Sequence, residues 1–233
     1  MGGEDDANGF TGSRMDAGPE LVAAIAAHLP PGAPPALANS LASYLQLLYA
    51  WNRRMNLTAV RDPREMAALH LPECLLAAQL LPAGPATVLD YGSGAGLPGI
   101  PAAALRHDLT FTLAESQAKK AAFLREALRH IPLRNTSVWA GRVESMEPER
   151  RFDAVMLRAV DRMAQALQGA AARMQPGAAC IVLTSDKESA AIHALLPHLL
   201  WETTAVPASR QRVILRGTQP GRCSTWNISG LEP

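Results

Sequence analysis

The chain has 233 residues, of which 48% are hydrophobic and 18% charged, and its net charge is +1. This balance indicates a globular protein with a substantial core and argues against a uniformly basic nucleic-acid-binding protein. No apolar run is long enough to span a membrane, and the N-terminus does not have the pattern of a secretory signal. The cysteines (Cys74, Cys180 and Cys223) and the histidines show no disulfide or metal-ligand spacing, so we expect reduced thiols, no metal and a cytoplasmic location.

The N-terminal part of the chain is predicted to be helical after a disordered tail. Residues 1–17 are acidic and rich in glycine, a composition that does not favour a packed structure. Three helices are predicted next: Leu21–Leu29, a helix that begins at Asn39 or Ser40, and Arg64–Leu81. Residues 18–85 are therefore expected to form a helical extension in front of the following domain.

The hydrophobic pattern changes after residue 85 to short β-like runs that alternate with helical segments. The strand-like runs are Ala86–Tyr91, Leu109–Ala114, Thr136–Trp139, Ala154–Leu157 and Ala179–Thr184. Such alternation predicts an α/β fold with a mostly parallel sheet. Two further runs, Thr203–Pro207 and Arg212–Arg216, are close enough to pair as a terminal antiparallel hairpin. We expect this domain to cover residues 86–218 and a tail to follow at 219–233.

A glycine-rich segment follows the first predicted strand. The strand ends near Asp90, and glycines follow at every second position, at Gly92, Gly94 and Gly96. Glycine adopts positive φ without strain and leaves room for a ligand to lie against the main chain. At the carboxyl end of a strand, before a helix, this pattern predicts a site for a nucleotide or nucleoside.

Two cofactors are compatible with this loop. Gly94, Gly96 and Gly99 match the G-x-G-x-x-G pattern of dinucleotide-binding proteins, which is weak evidence on its own. The register of Asp90 and Gly92 is instead typical of Rossmann-like class I S-adenosylmethionine-dependent methyltransferases. In that interpretation, the methionine part of the cofactor lies on the open loop, and Asp90 accepts hydrogen bonds from its ammonium group. We therefore predict S-adenosylmethionine as the cofactor.

Glu115 lies nineteen residues after Gly96, at the end of the second predicted strand. A carboxylate at this place can accept hydrogen bonds from two ribose hydroxyls. Both cofactors carry a ribose, so Glu115 supports a nucleoside ligand without distinguishing between them.

Two longer blocks narrow the interpretation to one family. The first is Trp51–Val60, which contains the pattern Trp-Asn…Asn-Leu-Thr and is followed by His70, and the second is Asp90–Pro101. Three shorter blocks follow in order: Glu115-Ser116 with Lys119-Lys120, Gly141–Glu144, and Arg158–Val160. Together the blocks resemble the glucose-inhibited division protein B family, the RsmG methyltransferases, from about Tyr44 to Leu215.

The resemblance implies methyl transfer from S-adenosylmethionine to N7 of a guanine in 16S ribosomal RNA. The implied cofactor-binding residues are Gly92, Leu97, Val143, Glu144 and Arg158, in addition to Gly94 and Gly96 of the loop and to Asp90 and Glu115 at the strand ends. Arg158 would lie between cofactor and target and would orient the RNA rather than act as a base. Two plainer alternatives stay open: Val143 as a core residue, and Arg158 paired structurally with an acidic residue at the sheet end.

The implied chemistry needs few catalytic groups but many RNA contacts. Guanine N7 carries an exposed lone pair and needs no deprotonation, so neither a nucleophile–base pair nor a metal is required. RNA phosphates, in contrast, call for basic side chains. The candidates are Arg53, Arg54, Arg61, Arg64, Lys119, Lys120, Arg210 and Arg212. The expected partner is 16S ribosomal RNA or the small ribosomal subunit, and the protein is expected to be a monomer.

Four positions differ from the pattern of that family. Tyr91 replaces a small aliphatic residue, and Glu115 replaces the commoner aspartate. Glu73-Cys74 stand where the family has Asp-Ser, and Asp186–Glu188 lack a Lys-Gly pair. These differences fall partly on the substrate side, so they bear more on the acceptor than on the cofactor.

Three alternatives to this function are retained. A protein of the same fold could methylate a different substrate, or it could bind RNA in ribosome assembly without catalysis. The third alternative is an NAD-type oxidoreductase. Methylation of purified ribosomal subunits separates the first from the preferred function. A biological role that survives replacement of Gly92 or Glu115 identifies the second, and binding of a dinucleotide in place of S-adenosylmethionine identifies the third.

Overall fold

The computed structural model describes residues 18–158, 162–207 and 209–219, so the predicted tails, except for Gln219, lie outside the described residues. The helices in this part of the chain are α1 (Pro19–Ala26), α2 (Pro35–Met55), α3 (Pro63–Gln79), α4 (Gly99–Leu105), α5 (Ala118–His130), α6 (Met163–Ala171) and α7 (Asp186–Leu195), with a short 3-10 helix at Val143–Ser145. The strands are β1 (Ala86–Tyr91), β2 (Leu109–Glu115), β3 (Thr136–Ala140), β4 (Phe152–Arg158), β5 (Met174–Ser185), β6 (Leu200–Ala205) and β7 (Arg212–Thr218).

The seven strands form one sheet in the order β3-β2-β1-β4-β5-β7-β6. Strands β1 to β5 are parallel, whereas β7 is antiparallel to both β5 and β6. The predicted mostly parallel sheet with a terminal antiparallel hairpin is therefore confirmed. The chain leaves β1 toward β2 on one side and returns to β4 on the other, and this reversal of strand order opens a crevice at the carboxyl ends of the strands.

Helix α2 starts earlier than the sequence pattern predicts. It begins at Pro35 rather than at Asn39 or Ser40, because proline fits the first turn of a helix, where its missing N–H is not needed. The Ser40 hydroxyl does not cap the helix but donates a hydrogen bond back to the carbonyl of Ala36 (3.1 Å). The helix ends at Met55, and the next residue, Asn56, takes a left-handed conformation with φ of 48°.

The N-terminal helices pack as part of one face of the sheet. Leu41 and Leu45 of α2 and Leu71 of α3 belong to the same buried cluster as Val88 of β1 and Ile181 of β5. A second cluster fills the other face, beneath α6 and α7. The predicted boundary at residue 85 thus separates sequence patterns, while the hydrophobic core runs across it.

Candidate functional site

The glycine loop lies between β1 and α4 at the carboxyl edge of the sheet. Gly92, Gly94 and Gly96 have φ values of 70°, 54° and 84°, as the loop prediction requires. A Cβ at Gly96 would lie 2.5 Å from Ile100 Cδ1, and one at Gly99 would lie 2.4 Å from Asp90 Oδ2. A Cβ at Gly94 would meet no atom closer than 3.8 Å. The packing of the protein itself therefore requires Gly96 and Gly99, whereas the loop surface at Gly94 is open.

Two hydrogen bonds from other elements hold the loop in place. The amide of Ser93 donates to the carbonyl of Ala114 on β2 (2.9 Å). The hydroxyl of Tyr44, a fully buried residue of α2, donates to the carbonyl of Ala95 (2.7 Å). The N-terminal extension thus contributes directly to the shape of the predicted cofactor loop.

Asp90 lies beneath the loop and is only 1% exposed. Burial raises the pKa of this carboxyl to about 7, against lowering contributions from Ser93 and from the backbone amide of Gly99. The structure therefore places Asp90 against the first turn of α4. Its predicted contact with an ammonium group stays a prediction.

Glu115 reaches the loop from the end of β2, as predicted. Its Oε2 accepts a hydrogen bond from the amide of Gly94 (3.0 Å), and its Oε1 accepts one from the amide of Gln117 (2.7 Å). The residue is 6% exposed. A carboxylate and an open glycine backbone are thus brought together at the ends of neighbouring strands.

Glu144 and Val143, in the 3-10 helix after β3, take different positions. Val143 is buried in the core cluster with Leu89, which matches the plainer alternative for its side chain. Glu144 is exposed and accepts a hydrogen bond from the hydroxyl of Tyr91 (2.6 Å), which lowers the pKa of Glu144. A Cβ at Gly169 would lie 2.8 Å from the Tyr91 oxygen, so glycine on α6 makes room for this unusual tyrosine.

The segment after Glu144 is held by a buried arginine, Arg173, which no sequence pattern singled out. Arg173, which is 7% exposed, donates to the carbonyls of Glu147 (2.6 Å) and Met146 (3.0 Å). Its position between α6 and β5 lets one guanidinium satisfy carbonyls that no helix or strand would satisfy. This contact fixes the loop that carries Glu144.

Arg158, the last residue of β4, is paired with an acidic residue, as the structural alternative proposed. Its Nε donates to Glu73 Oε1 (2.6 Å), and its Nη2 lies 2.9 Å from His70 Nδ1. Glu73 Oε2 is also 2.7 Å from Nη2 of Arg212. Arg212 keeps 38% of its side chain exposed in this ion pair, and its predicted contact with RNA stays a prediction. Residues 159 and 160 of the matching block lie outside the described residues.

The Trp-Asn…Asn-Leu-Thr block explains how His70 is held. The side-chain oxygen of Asn52 accepts from the amide of Thr58 (2.9 Å), and its nitrogen donates to the carbonyls of Thr58 and Val60 (2.9 and 3.1 Å). Thr58 Oγ1 then lies 3.2 Å from His70 Nε2. Asn52, Thr58, His70 and Glu73 were not among the site residues predicted from the sequence. The available signal was the spacing of His70 and Glu73, which places them on one face of a helix.

Three of the predicted RNA-binding residues line one groove. The groove has a volume of about 500 Å³ and is lined by Ala50, Trp51, Arg53, Arg54, Met55 and Lys119. Trp51 forms its floor toward α5 and packs edge-on against Phe123, with ring centroids 5.7 Å apart. The end of α2 and the start of α5 thus present positive charge beside apolar surface.

The other predicted RNA contacts are dispersed. Lys120 is half-buried next to Lys119 on α5, and Arg210 is exposed in the turn before β7. Arg61 lies 3.4 Å from Asn56 Oδ1, and Arg64 forms an ion pair with Glu20. A single RNA face that includes all of these residues stays a prediction.

The described residues contain neither a candidate membrane span nor a candidate metal site. None of the helices there is long and apolar enough to cross a membrane. Histidine, cysteine, aspartate and glutamate side chains in the same residues form no group of three or more that could hold a metal ion.

Comparisons with known proteins agree with this geometry. Residues 37–206 match the family model for rRNA small subunit methyltransferase G. Ribosomal RNA small subunit methyltransferase G of Xanthomonas euvesicatoria is 39% identical over 197 residues, which cover 84% of this chain and 83% of that protein. The enzyme of the same name from Methylobacillus flagellatus is 47% identical over 131 residues, covering 56% and 63%.

Solved structures support the fold at low sequence identity. Magnesium protoporphyrin IX methyltransferase from Synechocystis superposes with a TM-score of 0.58 at 12% identity, covering 76% of this chain and 97% of that one. The N-methyltransferase NodS from Bradyrhizobium japonicum gives 0.55 at 15% identity, covering 75% and 99%. These two matches confirm a methyltransferase-like α/β fold and nothing beyond the fold.

The family match decides between the two interpretations of the glycine loop. It covers helices α2 and α3 of the extension together with strands β1 to β6, and the resemblance noted in the sequence is confirmed. A methyltransferase family is incompatible with the oxidoreductase alternative. The chain belongs to the rRNA small subunit methyltransferase G family.

Proposed function

We propose that this protein transfers a methyl group from S-adenosylmethionine to N7 of a guanine in 16S ribosomal RNA. One observation supports the cofactor most directly. The Glu115 carboxylate and the open backbone at Gly94 meet at the ends of β1 and β2, in the crevice where strand order reverses.

The residues around this crevice fit S-adenosylmethionine. An ionised carboxylate has about four lone-pair sites, and the amides of Gly94 and Gln117 occupy two of those of Glu115. The remaining sites can accept hydrogen bonds from ribose hydroxyls. Because the side chain of Val143 is in the core, its contact with the adenine would be made by the main chain. Glu144, held by Tyr91, would lie beside it.

In this reaction the protein has to align the methyl group with guanine N7, and it does not have to transfer a proton. S-adenosylmethionine, when bound, supplies an electrophilic methyl group on a positively charged sulfur. The N7 lone pair would form the new bond as the carbon–sulfur bond breaks, and positive charge would pass to the purine. The protein needs to hold the two reactants in line, which can contribute several kcal/mol, and to offer a fixed polar pocket for the shifting charge. Arg158, at the end of β4, is the charged group proposed to orient the acceptor.

The groove lined by Arg53, Arg54 and Lys119 is proposed to contact RNA phosphates. These residues lie at the end of α2 and the start of α5, and α5 follows Glu115 in the chain. We further propose that the protein acts as a monomer on 16S RNA or on the small ribosomal subunit. Its place would then be the bacterial cytoplasm, where that RNA is made.

Methylation of defined substrates tests this proposal. Small ribosomal subunits and protein-free 16S RNA, both from cells that lack this protein, are incubated with it and with methyl-labelled S-adenosylmethionine. We expect label at one guanine, recovered as N7-methylguanine, in at least one of the two substrates. No label in 16S RNA from either would overturn the proposal, and label on another atom would refute the N7 assignment. Comparison of the two substrates shows which form is recognised.

A further inference from the structure

The cluster of charged groups at the end of β4 contains two residues that the proposed reaction does not yet use. His70 and Glu73 lie on the same face of α3, and both contact the guanidinium of Arg158. Glu73 is only 2% exposed and His70 is 9% exposed. Neither residue can reach bulk solvent freely, so their polar atoms are directed at Arg158 and its neighbours.

The geometry defines which atom of Arg158 faces which partner. Nε donates to Glu73 Oε1 (2.6 Å), and Nη2 lies 2.9 Å from His70 Nδ1. A guanidinium only donates, so Nδ1 accepts, and the imidazole proton is placed on Nε2, facing Thr58 Oγ1 at 3.2 Å. Two partners on two edges leave the planar guanidinium little freedom to rotate.

Glu73 also joins Arg158 to a third element. Its second carboxylate oxygen lies 2.7 Å from Nη2 of Arg212 at the start of β7. One buried carboxylate therefore lies between two arginines, one at the end of β4 and one at the edge of the terminal hairpin. With a neutral His70, the cluster of Glu73, Arg158 and Arg212 keeps one net positive charge.

A purely structural role does not explain this choice of residues. Moving charged groups out of water is costly, and apolar residues of similar size often stabilise a fold at least as well as a buried ion pair. The cluster lies at the carboxyl edge of the sheet, beside the crevice, and not in the middle of the core. A requirement to hold Arg158 in one orientation explains both why charged groups are buried here and why they lie beside the crevice.

We propose that His70 and Glu73 are positioning residues that fix the guanidinium of Arg158 for methyl transfer. This proposal rests on the proposed function, because it assigns both residues to that reaction. Asn52 and Thr58 extend the same chain of contacts into the N-terminal helices. The extension therefore serves the reaction through Arg158, in addition to any contact it makes with RNA.

A double-mutant cycle tests the role of Glu73. The kcat, the KM for RNA and the affinity for S-adenosylmethionine are measured for wild type, Glu73→Gln, Arg158→Ala and the double variant. We expect Glu73→Gln to lower kcat about 10- to 100-fold, since small misplacements of an aligning group have effects of this size. The double variant should be no slower than Arg158→Ala alone. Losses that multiply in the double variant would overturn the proposal.

Two substitutions of His70 test its role separately. His70→Asn keeps an acceptor near the position of Nδ1, which faces Arg158, whereas His70→Gln keeps a polar group near Nε2, which faces Thr58. We expect His70→Asn to retain the larger share of kcat. Equal losses, or a larger loss for His70→Asn, would refute a positioning role for His70.

Controls separate positioning from folding. Glu73→Asp keeps the charge and should recover most of the kcat lost in Glu73→Gln. Asp153→Asn weakens hydrogen bonds to Thr87 at the opposite edge of the sheet and should leave kcat unchanged. If Glu73→Gln does not fold, the cycle is run with His70→Gln and Arg158→Ala, and losses that multiply in that double variant would likewise overturn the proposal. A wild type that fails to methylate 16S RNA would refute the proposed function, whereas an active wild type matched in kcat by Glu73→Gln would refute only the positioning role.

Discussion

Two corners of the crevice are built in different ways. At the glycine corner, residues 92–99 shape the site with their own backbone, and the partners Asp90 and Glu115 lie at the ends of adjacent strands. At the arginine corner, Glu73 of α3 meets side chains from β4 and β7 that are 85 and 139 residues away in the chain. The first corner is local and steric, whereas the second depends on long-range contacts between charges. Substitutions and pH changes should therefore affect the two corners in different ways.

The largest expected effect is at the arginine corner. Glu73→Ala removes the buried carboxylate and leaves Arg158 without its ionic partner. Loss of one member of a buried ion pair typically costs about 3–5 kcal/mol in the free energy of unfolding. Chemical denaturation of the wild type and the variant measures this loss in the free energy of unfolding. A loss below about 1 kcal/mol, the range of exposed pairs, would show that the cluster is effectively solvated.

The two corners should also respond oppositely to pH. Burial, followed by the charges of Arg158 and Arg212, lowers the pKa of His70 from 6.5 to about 4. Between these values the unfolded chain binds a proton that the folded protein does not, so acidification from pH 6.5 to 4 reduces stability by about 3 kcal/mol. Asp90 has the reverse shift, from 3.8 to about 7, and therefore reduces stability as pH rises through that interval.

Single variants separate these two contributions. Relative to wild type, His70→Asn should lose less stability as the pH falls from 6.5 to 4, whereas Asp90→Asn should lose less as the pH rises from 4 to 7. Urea denaturation at pH 4.5, 5.5 and 6.5 measures both differences. Parallel stability–pH curves for wild type and either variant would contradict the assignment of that group.

A smaller effect is expected at the glycine corner. Gly96→Ala places a Cβ 2.5 Å from Ile100 in a backbone with φ of 84°, so both overpacking and left-handed strain apply. We expect a loss of about 2–3 kcal/mol in unfolding free energy. Gly94→Ala is the matched control: it has the same sign of φ but open space, so it should lose only about 1 kcal/mol. Equal losses would show that strain alone, without the Ile100 contact, makes Gly96 necessary.

The smallest effect concerns Tyr91 at the end of β1. Tyr91→Phe removes the hydrogen bond to Glu144 and little else. One hydrogen bond of this kind is worth about 1 kcal/mol, so affinity for S-adenosylmethionine should fall about fivefold. Calorimetric titration of the wild type and the variant with S-adenosylmethionine measures this change in affinity. An unchanged affinity would indicate that Glu144 needs no support from the tyrosine.

The difference between the corners also explains what the sequence could predict. The bounds of β1 and the positive φ values of the loop follow from local pattern, and both were predicted. The start of α2 was missed because proline at the first turn outweighs Asn39 and Ser40 as caps. The ion pairs of Glu73 could not be predicted, because no local periodicity links α3 to β4 and β7. The groove of Arg53, Arg54 and Lys119 could be predicted only in part. Its basic residues were selected by their charge, but only the folded structure shows that these three lie together.

The hydrogen bond from Tyr44 to Ala95 has a consequence for how this enzyme can be taken apart. Tyr44 and Arg54 lie on the same helix, ten residues or about 15 Å apart. This one helix therefore contacts the glycine loop through Tyr44 and carries Arg54 of the basic groove near its C-terminal end. An α/β core transplanted without this helix would lose the hydroxyl under its loop. The glycine loop of the sheet therefore depends on the helical extension, and the two parts cannot be exchanged independently.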